Sequence, residues 1–159
     1  MIEEELLKRL INDLLDLDDL LLVMDSGGAV CEMHLNHPPL VKYDKLWMYL
    51  ESDDWHLHLP LENVSGVQIV ESSDHGHENI PMVFYVRFGG ASRETLMRFY
   101  FSNPWLNEKE EVTEFQKHKL TVFERFRDKY VACAGVEGVT RDKTGSYPFS
   151  GSIKTHWDI

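Results

Sequence analysis

The chain has 159 residues, enough for one domain with a buried core, and its 43% hydrophobic content supports a packed globular chain rather than a disordered one. The formal net charge of −11 argues against sequence-independent binding to DNA and against electrostatic docking on anionic lipid, because both need a basic footprint. No run of about 18 apolar residues occurs, so no membrane span is expected, and the acidic start MIEEELLKRL lacks the basic stretch of a secretion signal.

The first predicted element is an amphipathic helix over residues 2–22. Ile2, Leu6, Leu10 and Leu14 recur every four residues, and Leu7, Ile11 and Leu15 widen the stripe. The opposite side carries Glu5, Lys8, Arg9, Asn12 and Asp16. The sequence Asp25-Ser26-Gly27-Gly28 stops the helix. Packing on a core is the ordinary reading of such a stripe, and partner binding is the alternative.

From residue 29 to 102 the period changes to two. Strands are predicted near 29–35, 46–51, 55–59, 66–72, 82–89 and 95–102. Short acidic, glycine or serine turns separate several of them, which implies antiparallel pairing. Pro38-Pro39 cannot sit in a central ladder, so 36–41 is expected to be an edge or a loop. A second helix is predicted over 108–131, with Asn107 as N-cap and Glu110 completing a capping pair. Val112, Phe115, Val122, Phe123, Phe126 and Tyr130 form its apolar stripe. Residues 135–159 show no clear period and are expected to form an irregular segment, either a tail or a strap, with isolated Tyr147, Phe149 and Trp157. The expected fold is α+β: one domain over residues 1–134, an antiparallel sheet of about six or more strands flanked by an N-terminal and a C-terminal helix.

Two cysteines, Cys31 and Cys133, fit neither a zinc ribbon nor a disulfide scaffold, so a reduced, cytoplasmic setting is the default. No nucleophile elbow, phosphate-binding loop or HExxH motif occurs, and no catalytic set is recognised. Eight histidines invite a metal reading. The loop Asp74-His75-Gly76-His77-Glu78 could ligate a metal ion, against the plainer reading of a solvated loop. In the stretch WMYLESDDWHLHLP, alternation places Trp55, Leu57 and Leu59 on one face of a strand and His56 and His58 on the other. Trp47 and Tyr49 share one parity on the preceding strand, as do Tyr85 and Arg87 on a later one. These six residues are expected to gather on one sheet face, where Trp and Tyr give stacking area, Arg pairs with carboxylates and His ligates a metal centre. An ordinary solvated sheet face is the competing reading.

The run His58-Leu59-Pro60-Leu61-Glu62-Asn63-Val64, leading into Val67-Gln68-Ile69-Val70, resembles the repeat unit of the HemS/ChuX-like haem-utilisation proteins. The hairpin formed by Met82-Val83-Phe84-Tyr85-Val86 and Leu96-Met97-Arg98-Phe99-Tyr100-Phe101 resembles the next part of that unit. The resemblance spans roughly residues 29–130. It implies a cytosolic haem-binding protein, acting as haem carrier or store in haem or iron utilisation, with haem degradation as an extension. It also implies a homodimer, the counterpart of two tandem repeats in longer members. His58 matches the strand histidine of the family pattern and Arg98 a basic position, whereas Pro60 stands where a basic residue is usual. Residues 1–28 hold no histidine, so the iron ligand is expected from His58 or His37, with His34 as a substitute. The implied haem site comprises His56, His58, Tyr85, Trp47 and Tyr49, with Arg87 or Arg98 holding the propionates. The alternative function is a protein–protein interaction module on the same fold.

Overall fold

The computed structural model describes residues 1–148. The leucine stripe forms α1 (Glu4–Leu15), which buries Leu6, Leu7, Leu10, Ile11, Leu14 and Leu15. Lys8 pairs back to Glu4 at 2.6 Å on its exposed side. The helix stops well short of residue 22. The chain turns through Asp16–Asp19, where Asp19 adopts φ +58°, and Leu20–Asp25 becomes strand β1. A strand suits this apolar run, because Leu20 and Leu22 reach the main core while Val23 is buried on the other face.

Strands β2 (Val30–Leu35), β3 (Leu40–Asp44), β4 (Trp47–Glu51) and β5 (His56–Pro60) follow. A single 3-10 turn at Leu61–Asn63 leads into β6 (Gly66–Ser72), β7 (Val83–Gly89) and β8 (Thr95–Tyr100). Helix α2 spans Lys117–Tyr130, and β9 (Val136–Asp142) and β10 (Gly145–Pro148) end the described chain. The strands form two sheets: a seven-stranded one in the order β10-β9-β6-β7-β8-β1-β2 and a three-stranded one in the order β3-β4-β5. Pairing is antiparallel throughout except between β6 and β9, which run parallel. The protein is therefore α+β, with a mixed rather than purely antiparallel large sheet. Its central strand β7 is buried along its whole length.

One core joins these layers. It combines the α1 stripe, Met48, Leu50, Leu57 and Leu59 of the small sheet, and Val67, Ile69, Val86, Phe88 and Phe99 of the large one. Phe123, Phe126 and Tyr130 of α2 complete it. The second helix begins ten residues later than its predicted N-cap, Asn107. The Asn107 carboxamide oxygen instead accepts from the backbone N–H groups of Lys109 and Glu111, at 2.9 and 3.0 Å, and closes a turn beside the Leu106–Val112 bridge. Residues 136–148 are not irregular: they form a hairpin that adds β9 and β10 to the large sheet. The rest of the predicted irregular segment, including Phe149 and Trp157, lies outside the described residues.

The two helices are clasped by Asp13, which accepts from both Tyr130 Oη and Lys129 Nζ. Burial and the bond to Asp13 push the Tyr130 phenol above its ordinary value, and burial pushes Tyr43 up to about 12. Burial alone would raise Asp13, but the bonds from Lys129 and Tyr130 outweigh it and hold the carboxyl below 3.8. The folded state thus holds the phenol protons more tightly than the unfolded chain, and the carboxyl proton less tightly. Stability present below the unfolded tyrosine value of 10 is lost as pH rises above it. Stability present above 3.8 is lost as pH falls below it. Urea midpoints are expected to fall at both ends of the pH range, and Tyr130→Phe should make the alkaline fall shallower. An alkaline limb unchanged by that substitution would show that the clasp does not set it.

Candidate functional site

The face of the large sheet turned away from the core is organised by register into two cross-strand rows. One runs His34, Leu21, Tyr100, Tyr85, Val70. The other runs Glu32, Val23, Arg98, Arg87, Gln68, Glu137. The first row is aromatic and aliphatic with a histidine at its rim, and the second is ionic.

The inner half of the ionic row is closed on itself. Arg87 is 3% exposed, and its guanidinium donates to Thr95 Oγ1 at 2.8 Å, Gln68 Oε1 at 2.9 Å and the Arg93 carbonyl at 2.5 Å. Gln68 in turn donates to Glu137 Oε2 at 2.9 Å. Burial, with Arg98 next in weight, pulls the Arg87 pKa down. Arg87 is thus engaged inside the fold by Thr95, Gln68 and Arg93. Arg98 differs. It is half-buried, its guanidinium lies 5.9 Å from the Tyr85 ring centroid, and its strongest side-chain contact is a long 3.5 Å approach to Thr95.

Arg98 lines a broad open groove of about 1520 Å³ between this sheet face and the segments 74–83 and 101–119. Tyr85 and Tyr100 meet on its floor with ring centroids 4.9 Å apart. Burial pushes the Tyr100 phenol up. Four histidines stand on the walls: His34, His75, His77 and His118. His34 Nε2 lies 3.6 Å from a Glu110 carboxylate oxygen. The His75 Nδ1 accepts from the His77 backbone N–H at 3.0 Å, which leaves the proton of a neutral ring on Nε2. That Nε2 is buried and has no hydrogen-bond partner among the described residues. It is a buried donor without an acceptor among the described residues. On the other side of the loop, Arg141 lies 3.6 Å from Asp74.

A protein-family model matches residues 8–132. The chain belongs to the HemS/ChuX-like family. No curated protein matches it. Among solved structures, this HemS/ChuX-like chain is similar to an Agrobacterium tumefaciens protein at 18% identity and a TM-score of 0.62, over 79% of this chain and 67% of that one. ChuX is similar at 7% identity and a TM-score of 0.63, over 80% and 74% of the two chains. A second ChuX structure, described as a heme binding protein, has a TM-score of 0.60 at 7% identity and covers 77% of this chain and 70% of that one. ChuS, an Escherichia coli heme oxygenase, is similar at 11% identity and a TM-score of 0.58, over 82% of this chain but 36% of the longer ChuS chain. At these identities the likeness establishes the fold. No helix among the described residues is long and apolar enough to cross a membrane.

In this HemS/ChuX-like chain the six residues predicted on one face lie on two. Tyr85 and Arg87 join Arg98 on the large sheet. Trp47, Tyr49, His56 and His58 line the outer face of the small sheet, where Trp47 stacks on Tyr49 at 6.4 Å and Tyr49 meets His58 edge-on at 4.8 Å. Each set points away from the shared core, because Met48, Leu50, Leu57 and Leu59 on one sheet and Val86 and Phe88 on the other point into it. His58 therefore does not share a pocket with Arg98. His37 is exposed between β2 and β3 and is not part of the groove. The His75–His77 loop joins no cluster of three or more metal-ligating side chains among the described residues. Tyr100, His118 and Arg141 were missed. Tyr100 shares the parity of Arg98 and was readable from it. His118 and Arg141 reach the groove only through the placement of α2 and β9, which no local pattern encodes.

Proposed function

We propose that this chain binds haem in the groove of the large sheet and acts in the cytoplasm as a haem carrier or store. The observation that carries the reading is the pairing, in one groove, of a Tyr85–Tyr100 floor with the Arg98 cation and the acceptor-less His75 Nε2–H. Haem presents a flat apolar ring, two carboxylates and an iron. Tyr100 and Leu21 offer the apolar surface, with the buried Tyr85 and Val23 packed beneath them. Arg98 and His75 are the donors suited to the carboxylates. His34, His77 and His118 are the wall imidazoles that would serve the iron from the protein side. The fold shared with a protein described as heme binding supports the same reading.

Titrating hemin into the purified chain should give a saturating, stoichiometric Soret shift. Arg98→Ala removes a charge-assisted contact and is expected to weaken binding roughly 10–100-fold. His56→Ala and His58→Ala should leave the spectrum and affinity unchanged. Loss of the shift in His58→Ala, with Arg98→Ala unaffected, would move the site to the small sheet. Free-hemin behaviour throughout would abandon haem in favour of an interaction module.

A further inference from the structure

Assigning haem to the groove leaves the His56–His58 pair without a role. We propose that these two residues form a bidentate site for a first-row divalent transition ion, independent of haem. Residues i and i+2 of a strand project from the same face. Leu57 and Leu59, each 8% exposed, anchor the other face of β5 in the core and fix that orientation. Both imidazoles are exposed, and their ring centroids lie 5.2 Å apart with planes inclined by 28°. With metal–nitrogen bonds of about 2.0–2.1 Å, two imidazoles on one ion have centroids about 4.5 Å apart at a cis square-planar centre and about 5 Å apart at a tetrahedral one. The pair is thus already at chelating separation, and small rotations about the side-chain bonds aim both Nε2 atoms at one point.

The surroundings favour a cation. Glu51 stands directly across the ladder from His56. The Ser52-Asp53-Asp54 turn joins β4 to β5 beside the pair, and the chain as a whole carries −11. Tyr49, packed edge-on against His58, limits the freedom of that ring. Glu51 Oε2 is held by Lys42 at 3.1 Å, so water rather than a third protein ligand completes the shell. Two nitrogen donors and water select copper, nickel or zinc over magnesium or calcium, with Cu²⁺ tightest.

The test is a Cu²⁺ titration of the untagged, haem-free chain against a chromophoric competitor, with electron paramagnetic resonance to count nitrogen ligands. One tight ion per chain with two nitrogens is expected. Each of His56→Ala and His58→Ala should weaken it roughly 10–100-fold, because the second ligand acts at high effective concentration once the first is bound. His75→Ala/His77→Ala should bind as the parent chain does. An unchanged affinity in the His56→Ala/His58→Ala double variant, or loss of the site in the His75→Ala/His77→Ala variant, overturns the proposal. Equal melting temperatures among the variants, expected for exposed positions, separate loss of ligand from loss of fold.

Discussion

Arg87→Ala is expected to cost the fold about 3–5 kcal/mol, the range for removing one member of a buried ionic network. The substitution leaves Gln68 Oε1, Thr95 Oγ1 and the Arg93 carbonyl without the donor they now share. It also takes the cation away from the buried Gln68–Glu137 pair, in which Glu137 is 5% exposed. Against a typical total stability of about 5–15 kcal/mol, that loss is a large fraction. Lysine should not restore it, since a single ammonium cannot reproduce a planar fork that serves three acceptors in different directions. Arg98→Ala provides the contrast. Its guanidinium is half-buried and weakly engaged, so the cost to stability should stay below about 1 kcal/mol. Urea unfolding of the two variants decides the matter. A loss below about 1 kcal/mol for Arg87→Ala would show that the network is not a structural element.

The contrast between these two arginines also marks how far the sequence alone could go. They lie directly opposite one another on β7 and β8, and both carried the same expectation of holding a carboxylate. Alternation correctly put Tyr85 and Arg87 on one face and Phe84, Val86 and Phe88 on the other. Six strands were legible because each is a short run rich in β-branched, aromatic or alternating residues, and turn residues separate several of them. What periodicity does not carry is which sheet a strand joins. Trp47, Tyr49, His56 and His58 have the same outward parity as Tyr85 and Arg87, yet they sit on a separate sheet across the core. Local pattern failed in other places for identifiable reasons. Leu20–Val23 continues the leucines of α1 without a glycine or proline to mark the break, and the turn is made by Asp19 in a left-handed conformation. Asn107 carries the chemistry of a cap and uses it in a turn. Strand β3 follows Pro38-Pro39 and is an edge of the small sheet, consistent with a proline-flanked position.

The hairpin β9–β10 was the least legible element, and it should be the most costly to remove. Its sequence, VEGVTRD followed by a glycine turn, has neither strict alternation nor a long apolar run. Its pairing partner β6 lies about seventy residues earlier, so the parallel ladder from Val67–Val136 to Ser72–Arg141 is set by tertiary structure alone. Gly135, at φ +84° and packed within 3 Å of Ile2 at an added Cβ, makes the sharp entry that aims β9 along that edge. A chain ending at Gly135 should lose the burial of Val136 and Val139, which are 0% and 3% exposed, at about 1.5–3 kcal/mol each. It also loses the ladder along β6 and the acceptor that Glu137 gives Gln68. The summed cost, on the order of 5 kcal/mol or more, equals the whole stability of many domains. The bared β6, nearly all of whose residues are now buried, would then be an apolar sheet edge prone to pairing with other chains. The expected result is an aggregating product without a cooperative melt, while a chain ending at Pro148 serves as the control for the removed C-terminal residues. A soluble chain ending at Gly135 that melts cooperatively within a few degrees of that control would show that the hairpin is an appendage, and that the large sheet is complete with β6 as its edge.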